Sequence, residues 1–298
     1  MRRFLARYVV LALVAAALAH RPVVAHDIWL QADSYVLARG DTLTVRQLLG
    51  PRLETDFAQP DGAQELPVLR DLTARFSLVN DAASVDLLAE LPDLRSRPKV
   101  QPVLERIVDS EGLALVAMDH SILYTDHSNE EFFGYLDHEG LAHEEFLPHM
   151  AATTYQGKGY QSEGYQRSLK TLVRVGDAAS AKQNDLPARV LGQTIEILLP
   201  RDLYALAPGD PLEVKVLLRG KPLPGQLVKA YRSSAPGDVA EQQTVTDSDG
   251  VARLTLEGPG RWLIRLVHLT PCSAESDVDC SDTTWESYWA AYSFAIDG

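Results

Sequence analysis

The stretch TDSDGVARLTLEGPGRWLIRLVHL, residues 246–269, decides the fold class. Thr246-Asp247-Ser248-Asp249-Gly250 carries the small polar and glycine residues that reverse a chain, and Val251 to Leu256 follows it as a short strand. Gly258-Pro259-Gly260 then turns the chain into a second strand, Trp262 to Leu269. Upstream, Pro208-Gly209-Asp210 leads into Leu212 to Leu218. The run Gly220-Lys221-Pro222-Leu223-Pro224-Gly225 turns, and Gln226 to Tyr231 is the next strand. Short strands at this regular spacing predict a small β-sandwich.

The order of these turns resembles the immunoglobulin-like or transthyretin-like modules of envelope proteins. That resemblance concerns the fold alone, because such modules host many functions. The half before them also reads as β. Ile28-Trp29-Leu30, Ser34 to Leu37, Thr42 to Leu49, Ala74 to Val79 and Leu113 to Met118 are strand-like, with a turn at Arg39-Gly40-Asp41. One segment differs. Ser128 with Glu131 matches a capping box, and Phe132, Phe133, Leu136 and Leu141 fall near helical spacing, which predicts a helix from about Asn129 to Glu139 or beyond. The expected fold class is therefore mainly β. An N-terminal β-rich domain with one helical segment, residues 26–185, precedes a C-terminal immunoglobulin-like or transthyretin-like sandwich, residues 186–298, with the division near Asn184 to Pro187.

The start reads as a secretory signal: Arg2, Arg3 and Arg7, then an apolar run from Tyr8 to Ala19. That run is shorter than the roughly 20 apolar residues a spanning helix needs, and no later segment is longer, so no membrane insertion is expected after cleavage. Val23-Val24-Ala25 offers the small residues that signal cleavage requires and would leave His26 first. Ala17-Leu18-Ala19 is a competing site that would leave His20. The later cut is preferred because a strand begins directly after it. Residues 1–25 are then a signal peptide, and the mature chain is expected in the periplasm or otherwise exported.

The full chain carries 28 Lys plus Arg against 41 Asp plus Glu. Removing Arg2, Arg3, Arg7 and Arg21 leaves 24 against 41, a net −17. Such a surface repels phosphate backbones and anionic headgroups, so no nucleic-acid partner is expected. Cationic partners, metal ions included, are not excluded. The two cysteines, Cys272 and Cys280, flank a polar, acidic stretch, and in an oxidising compartment they read as one disulfide closing a surface loop.

His26 carries the sharpest chemical reading. An N-terminal histidine presents an amine and an imidazole to one metal, and the amine's pKa of roughly 7.7 to 8.0 lets it deprotonate near neutrality. Such donors suit copper(II) and nickel(II). A third ligand would come from His268, His120, His127, His138, His143 or His149. His268 lies in the run Trp262 to Leu269, where alternation puts it on the face of Trp262, Ile264 and Leu266; a histidine there is ordinarily a hydrogen-bonded core or edge residue. His120 and His127 each follow an aspartate, Asp119 and Asp126, as candidate oxygen-nitrogen pairs, although turns favour the same residues. His138-Glu139-Gly140-Leu141-Ala142-His143 is rejected as a zinc-protease motif, because its histidines stand five apart instead of four. Glu139 and His143 would share a face of a continuing helix as a weak metal pair. No nucleophile elbow, phosphate loop or dinucleotide fingerprint occurs, and no enzyme activity is expected. The aromatic residues Trp285, Tyr288, Trp289, Tyr292 and Phe294 read as a closing strand packed on the core in preference to a sugar-stacking surface.

Several stretches together, AHDIWLQ, LARGDTLTVR, FFGYLDHEGL, YQRSLKTLVRVG, PLPGQLVKA, TDSDGVAR, WLIRLVHL and WESYWA, resemble a periplasmic family of unknown function associated with nickel and cobalt uptake, the NikK-type components. The resemblance implies a β-rich periplasmic protein that holds nickel or another divalent transition metal for a membrane metal-uptake transporter. Carried over by position, His26 and His268 are the ligands it implies, with Glu286 of the Trp-Glu-Ser stretch as a third. His120 and His127 lie in a segment without matching histidines. Two rivals stand beside this reading: a copper enzyme using an N-terminal histidine brace, and a structural envelope module without ligand.

Overall fold

The protein is described by a computed structural model over residues 27–50, 57, 63–96, 100–150, 154–155, 158–181 and 184–297. The first half contributes β1 (Asp27–Ala32), β2 (Val36–Leu37), β3 (Thr42–Gly50), β4 (Gln64–Glu65), β5 (Thr73–Asn80), β6 (Ser84–Asp86), β7 (Leu104–Ile107), β8 (Gly112–His120) and β9 (Leu123–Ser128). Helices α1 (Asn129–Glu139) and α2 (His143–Phe146) follow, then β10 (Thr154–Tyr155), the long β11 (Lys158–Val175) and α3 (Ala178–Ala181). The remainder is β12 (Ile195–Leu198), β13 (Pro211–Leu218), β14 (Lys221–Pro222), β15 (Leu227–Ala235), β16 (Asp238–Val245), β17 (Val251–Thr255), β18 (Gly260–Pro271) and β19 (Trp285–Ile296). The expected strands are present with ends shifted by a residue or two, except Gln226 to Tyr231, which runs on to Ala235, and Ser34 to Leu37, of which only Val36–Leu37 pairs.

The chain forms two compact units. One is made of residues Tyr124–Tyr165 and Thr270–Glu286, the other of His26–Leu123, Gln166–Leu269 and Ser287–Gly298. The larger unit is built in layers. A central sheet runs in the order β16-β15-β18-β19-β11-β8-β5-β6, so strands from both sides of residues 184–187 hydrogen-bond within it. One face packs against the sheet of β1, β3, β4 and β7 through Trp29, Leu43, Val45, Val116, Met118, Val173 and Leu263. The other packs against the sheet of β12, β13, β14 and β17 through Leu115, Leu172, Ile197, Val214, Trp262, Ile264 and Phe294. This sandwich arrangement makes the fold mainly β, as expected.

Burial on both faces explains why β8 and most of β19 are buried residue after residue instead of alternating polar and apolar. It also satisfies the core reading of the C-terminal aromatics, since Trp285, Tyr288, Trp289, Tyr292 and Phe294 are all buried. The alternation assigned to residues 262–269 holds: Leu263 faces one layer while Trp262, Ile264 and Leu266 face the other. Strand β16, at the edge of the central sheet, is joined to β17 by a side chain. The Gln242 amide donates to Thr255 O at 2.9 Å and accepts from Thr255 N at 3.0 Å, which copies a strand pairing.

In the smaller unit, α1 starts where the capping box predicts. Ser128 Oγ accepts from Glu131 N at 3.2 Å, and Glu131 Oε2 accepts from Ser128 N at 2.7 Å. Phe132, Tyr135, Leu136 and Glu139 form its buried face. Gly140, at φ +72°, takes the left-handed conformation that ends the helix, and Leu141 N returns to Leu136 O at 2.9 Å. The expected helical pair of Glu139 and His143 is therefore corrected: the helix stops between them, and His143 opens α2. Cys272 and Cys280 form the expected disulfide. The loop and the residues after it are held on β11 through Ser162 and on β9 through Tyr124. Ser162 Oγ donates to Asp282 O at 2.7 Å, Thr284 N donates to Ser162 O at 3.0 Å, and Asp279 N donates to Tyr124 Oη at 3.2 Å.

Candidate functional site

Strand alternation decides what the candidate histidines meet. Adjacent strand residues point to opposite faces, so neither Asp-His pair can converge on one ion. On β8, Asp119 turns to Arg75, 3.3 Å away, and to the Gln193 amide at 2.7 Å, while His120 Nε2 lies 2.8 Å from Gln47 Oε1. Burial, with the positive charge of Arg167, lowers the His120 pKa to about 3, so its imidazole stays neutral at ordinary pH. On β9, Asp126 is exposed and His127 is buried. These aspartates belong to strands; they do not mark surface turns.

His127 lies in a polar interior of the smaller unit, beneath α1. Its Nε2 is 2.9 Å from Glu163 Oε2 on β11, and its ring lies 5.9 Å from that of Tyr135 and 6.5 Å from that of Phe132. Nδ1 is buried with no hydrogen-bond partner. Burial alone would depress the imidazole's pKa, but the hydrogen bond and charge of Glu163, helped by Glu131 and Asp126, outweigh it and raise the value. Beside this pair Gln161, fully buried, donates to Asn129 Oδ1 at 2.9 Å and accepts from Trp285 Nε1 at 3.1 Å. Trp285 in turn stacks on Phe132 at 5.0 Å. Glu286 acts locally, since its Oε1 accepts from Asp277 N at 2.6 Å and holds the disulfide loop.

In the larger unit, β1 begins at Asp27, which pairs with Gly50 of β3 in antiparallel register. Its carboxylate is only 2.7 Å from Arg265 Nε, and both residues are buried. Asp27, Arg167, Leu169, Arg265 and Trp289 line a recess. Both guanidiniums lie over the Trp289 ring, Arg167 at 4.9 Å and Arg265 at 5.7 Å from its centroid. His26 precedes Asp27 and lies outside the described residues. His268, half-buried on β18, has Nδ1 3.0 Å from Gln226 Oε1.

Among the described residues no three His, Cys, Asp or Glu side chains converge as a ready ligand set. The sequence alone does not single out Glu163, Gln226, Arg167 or Arg265. An arginine inside WLIRLVHL is a signal that one strand face meets a charge; nothing local marks the other three.

No curated protein matches this chain. Among solved structures, the D0-D1 domain of intimin aligns with 14% identity and a TM-score of 0.22, over 91% of this chain and 98% of that one. Trypsin-activated α2-macroglobulin from Escherichia coli aligns with 11% identity and a TM-score of 0.20, over 93% of this chain and 16% of that one. A family model covers residues 23–270, and by that match the chain belongs to the family described as domain of unknown function DUF4198.

Proposed function

We propose that the chain is an exported accessory protein that binds a transition metal, nickel or cobalt, for a membrane uptake transporter, with His26 as amine-and-imidazole chelator. The observation that carries this reading is the anchoring of the residue after it. Asp27 is the first paired residue of β1 and is tied to the buried Arg265 at 2.7 Å. A chelate begun one residue before such an anchor loses little chain freedom on closing round an ion. His120, its pKa lowered to about 3, is a neutral imidazole of the larger unit, and His268 is another histidine of that unit. The carried-over Glu286 fits less well, because its carboxylate already holds the Asp277 backbone. By the general order of divalent affinities, copper would bind these donors more tightly than nickel, so nickel selection would come from geometry or supply.

The test is intact mass and metal analysis of protein exported without an N-terminal tag. A mass beginning at His26 with about one equivalent of nickel, cobalt or copper supports the chelate. A start elsewhere, or protein that stays metal-free when ions are added, sinks it.

A further inference from the structure

The larger unit repeats itself. Ala38-Arg39-Gly40-Asp41 and Ala207-Pro208-Gly209-Asp210 make the same turn, with glycine φ of +92° and +97°. In each the aspartate carboxylate accepts from the alanine N, at 2.8 and 2.7 Å, and the aspartate N donates to the alanine O, at 3.1 and 3.0 Å. Gly40 N donates to Val108 O at 2.8 Å, and Gly209 N donates to Leu256 O at 2.7 Å. The strands after the turns keep one register. Thr42 faces Ile107 as Pro211 faces Thr255, and Leu49 faces Ile28 as Leu218 faces Ile195. In the central sheet, reading inward from both ends, β16 answers β6, β15 answers β5, β18 answers β8 and β19 answers β11. Ser293 Oγ on β19 donates to Leu30 O at 2.5 Å, as Lys170 Nζ on β11 donates to Ile197 O at 3.1 Å.

A residue that the sandwich itself requires should recur at its counterpart. With Ile28 matched to Ile195 and Leu30 to Ile197, Asp27 corresponds to Thr194. On β8, which starts at Gly112, Ala114, Val116 and Met118 face the sheet of β1 and β3. On β18, which starts at Gly260, Trp262, Ile264 and Leu266 face the sheet of β12 and β13, so Ala117 corresponds to Arg265. The buried ion pair of Asp27 and Arg265 therefore stands where the repeat has a threonine and an alanine. Burying two charges costs desolvation that offsets their attraction, so such a pair adds little to stability. We propose that the Asp27–Arg265 pair serves a site at the start of β1 and not the sandwich: Arg265 is a positioning residue that holds Asp27, and so places His26 to close on a metal ion. The repeat follows from hydrogen bonds and register; the use of the pair rests on the metal reading given above.

The experiment uses the full exported chain, with intact mass confirming a start at His26. Asp27→Thr combined with Arg265→Met takes the threonine of the repeat and fills the place of the guanidinium with an apolar chain. Without metal, this double variant should melt within about 4 °C of the unaltered protein. Its affinity for copper(II), read by titration, should fall about 10- to 100-fold, and Arg265→Lys, which keeps the pair, should retain most of it. A much lower melting temperature, or failure to fold, would show that the sandwich needs the pair and overturns the proposal. Unchanged copper affinity in the double variant overturns it as well. If the unaltered protein starts at His26 and ignores copper, the metal reading falls and this use of the pair with it, while equal melting still shows that the sandwich does not need the pair.

Discussion

His127 and Glu163 stand 36 positions apart, yet they meet at 2.9 Å in the interior of the smaller unit. The carboxylate raises the histidine's pKa above its unfolded value, so the pair stabilises the fold fully below the ordinary histidine pKa of about 6.5. That contribution is lost as pH rises through the folded value. Glu163→Gln keeps an acceptor and removes the charge. It should cost about 1 to 3 kcal/mol in acid, with the penalty fading in alkali. Unfolding of both proteins between about pH 5 and 9, with an NMR titration of His127, checks this. A penalty that does not change with pH would mean that His127 is neutral throughout. The sequence could show that His127 follows an aspartate on a strand. It could not show Glu163 as partner, because strand pairing between distant segments leaves no local pattern.

At the scale of elements the sequence was more legible, because turns and caps are local chemistry. Ser128 and Glu131 fixed the start of α1, and Thr246 to Gly250 fixed the turn before β17. The stop of α1 was less sharply legible: helical spacing allowed an end at Glu139 or beyond, and the Gly140 conformation sets it at Glu139. Other close approaches were not visible at all. On β11, Gly164 has no side chain, and a Cβ there would meet Val278 Cγ1 at 2.6 Å and Val278 Cβ at 2.9 Å. Gly164→Ala should therefore push the disulfide loop off its strand and destabilise the smaller unit by about 1 to 3 kcal/mol. Val278→Ala in the same chain should recover part of the loss, as expected of residues in contact. Thermal unfolding of the single and double variants measures it. Strictly additive effects would show that the loop does not press on β11.

Across the whole molecule, the mainly β class followed from composition and turn spacing, and the disulfide from the spacing of its two cysteines and the expected compartment. The layering did not. Each half carries strand signals, but which half's strands fill the middle sheet depends on pairings far apart along the chain, and β19 reads by itself as a simple closing strand. The candidate site was legible as a set of histidines and illegible as geometry. Their environments are set by Gln47, Glu163 and Gln226, all remote in sequence from the histidines they meet.

The position of β19 has a consequence for how the molecule comes into being. The last strand of the chain lies between β18 and β11, in the middle of the sheet that both outer layers cover. The interior gap can close only once Trp285–Ile296 has been delivered, so a nascent chain lacks its central rib until those residues have been made. Contacts spanning this much sequence also make for slow assembly. Deleting residues 285–298 should leave a chain with no cooperative unfolding transition. A truncated form that still melts sharply would show that the gap can close without its rib.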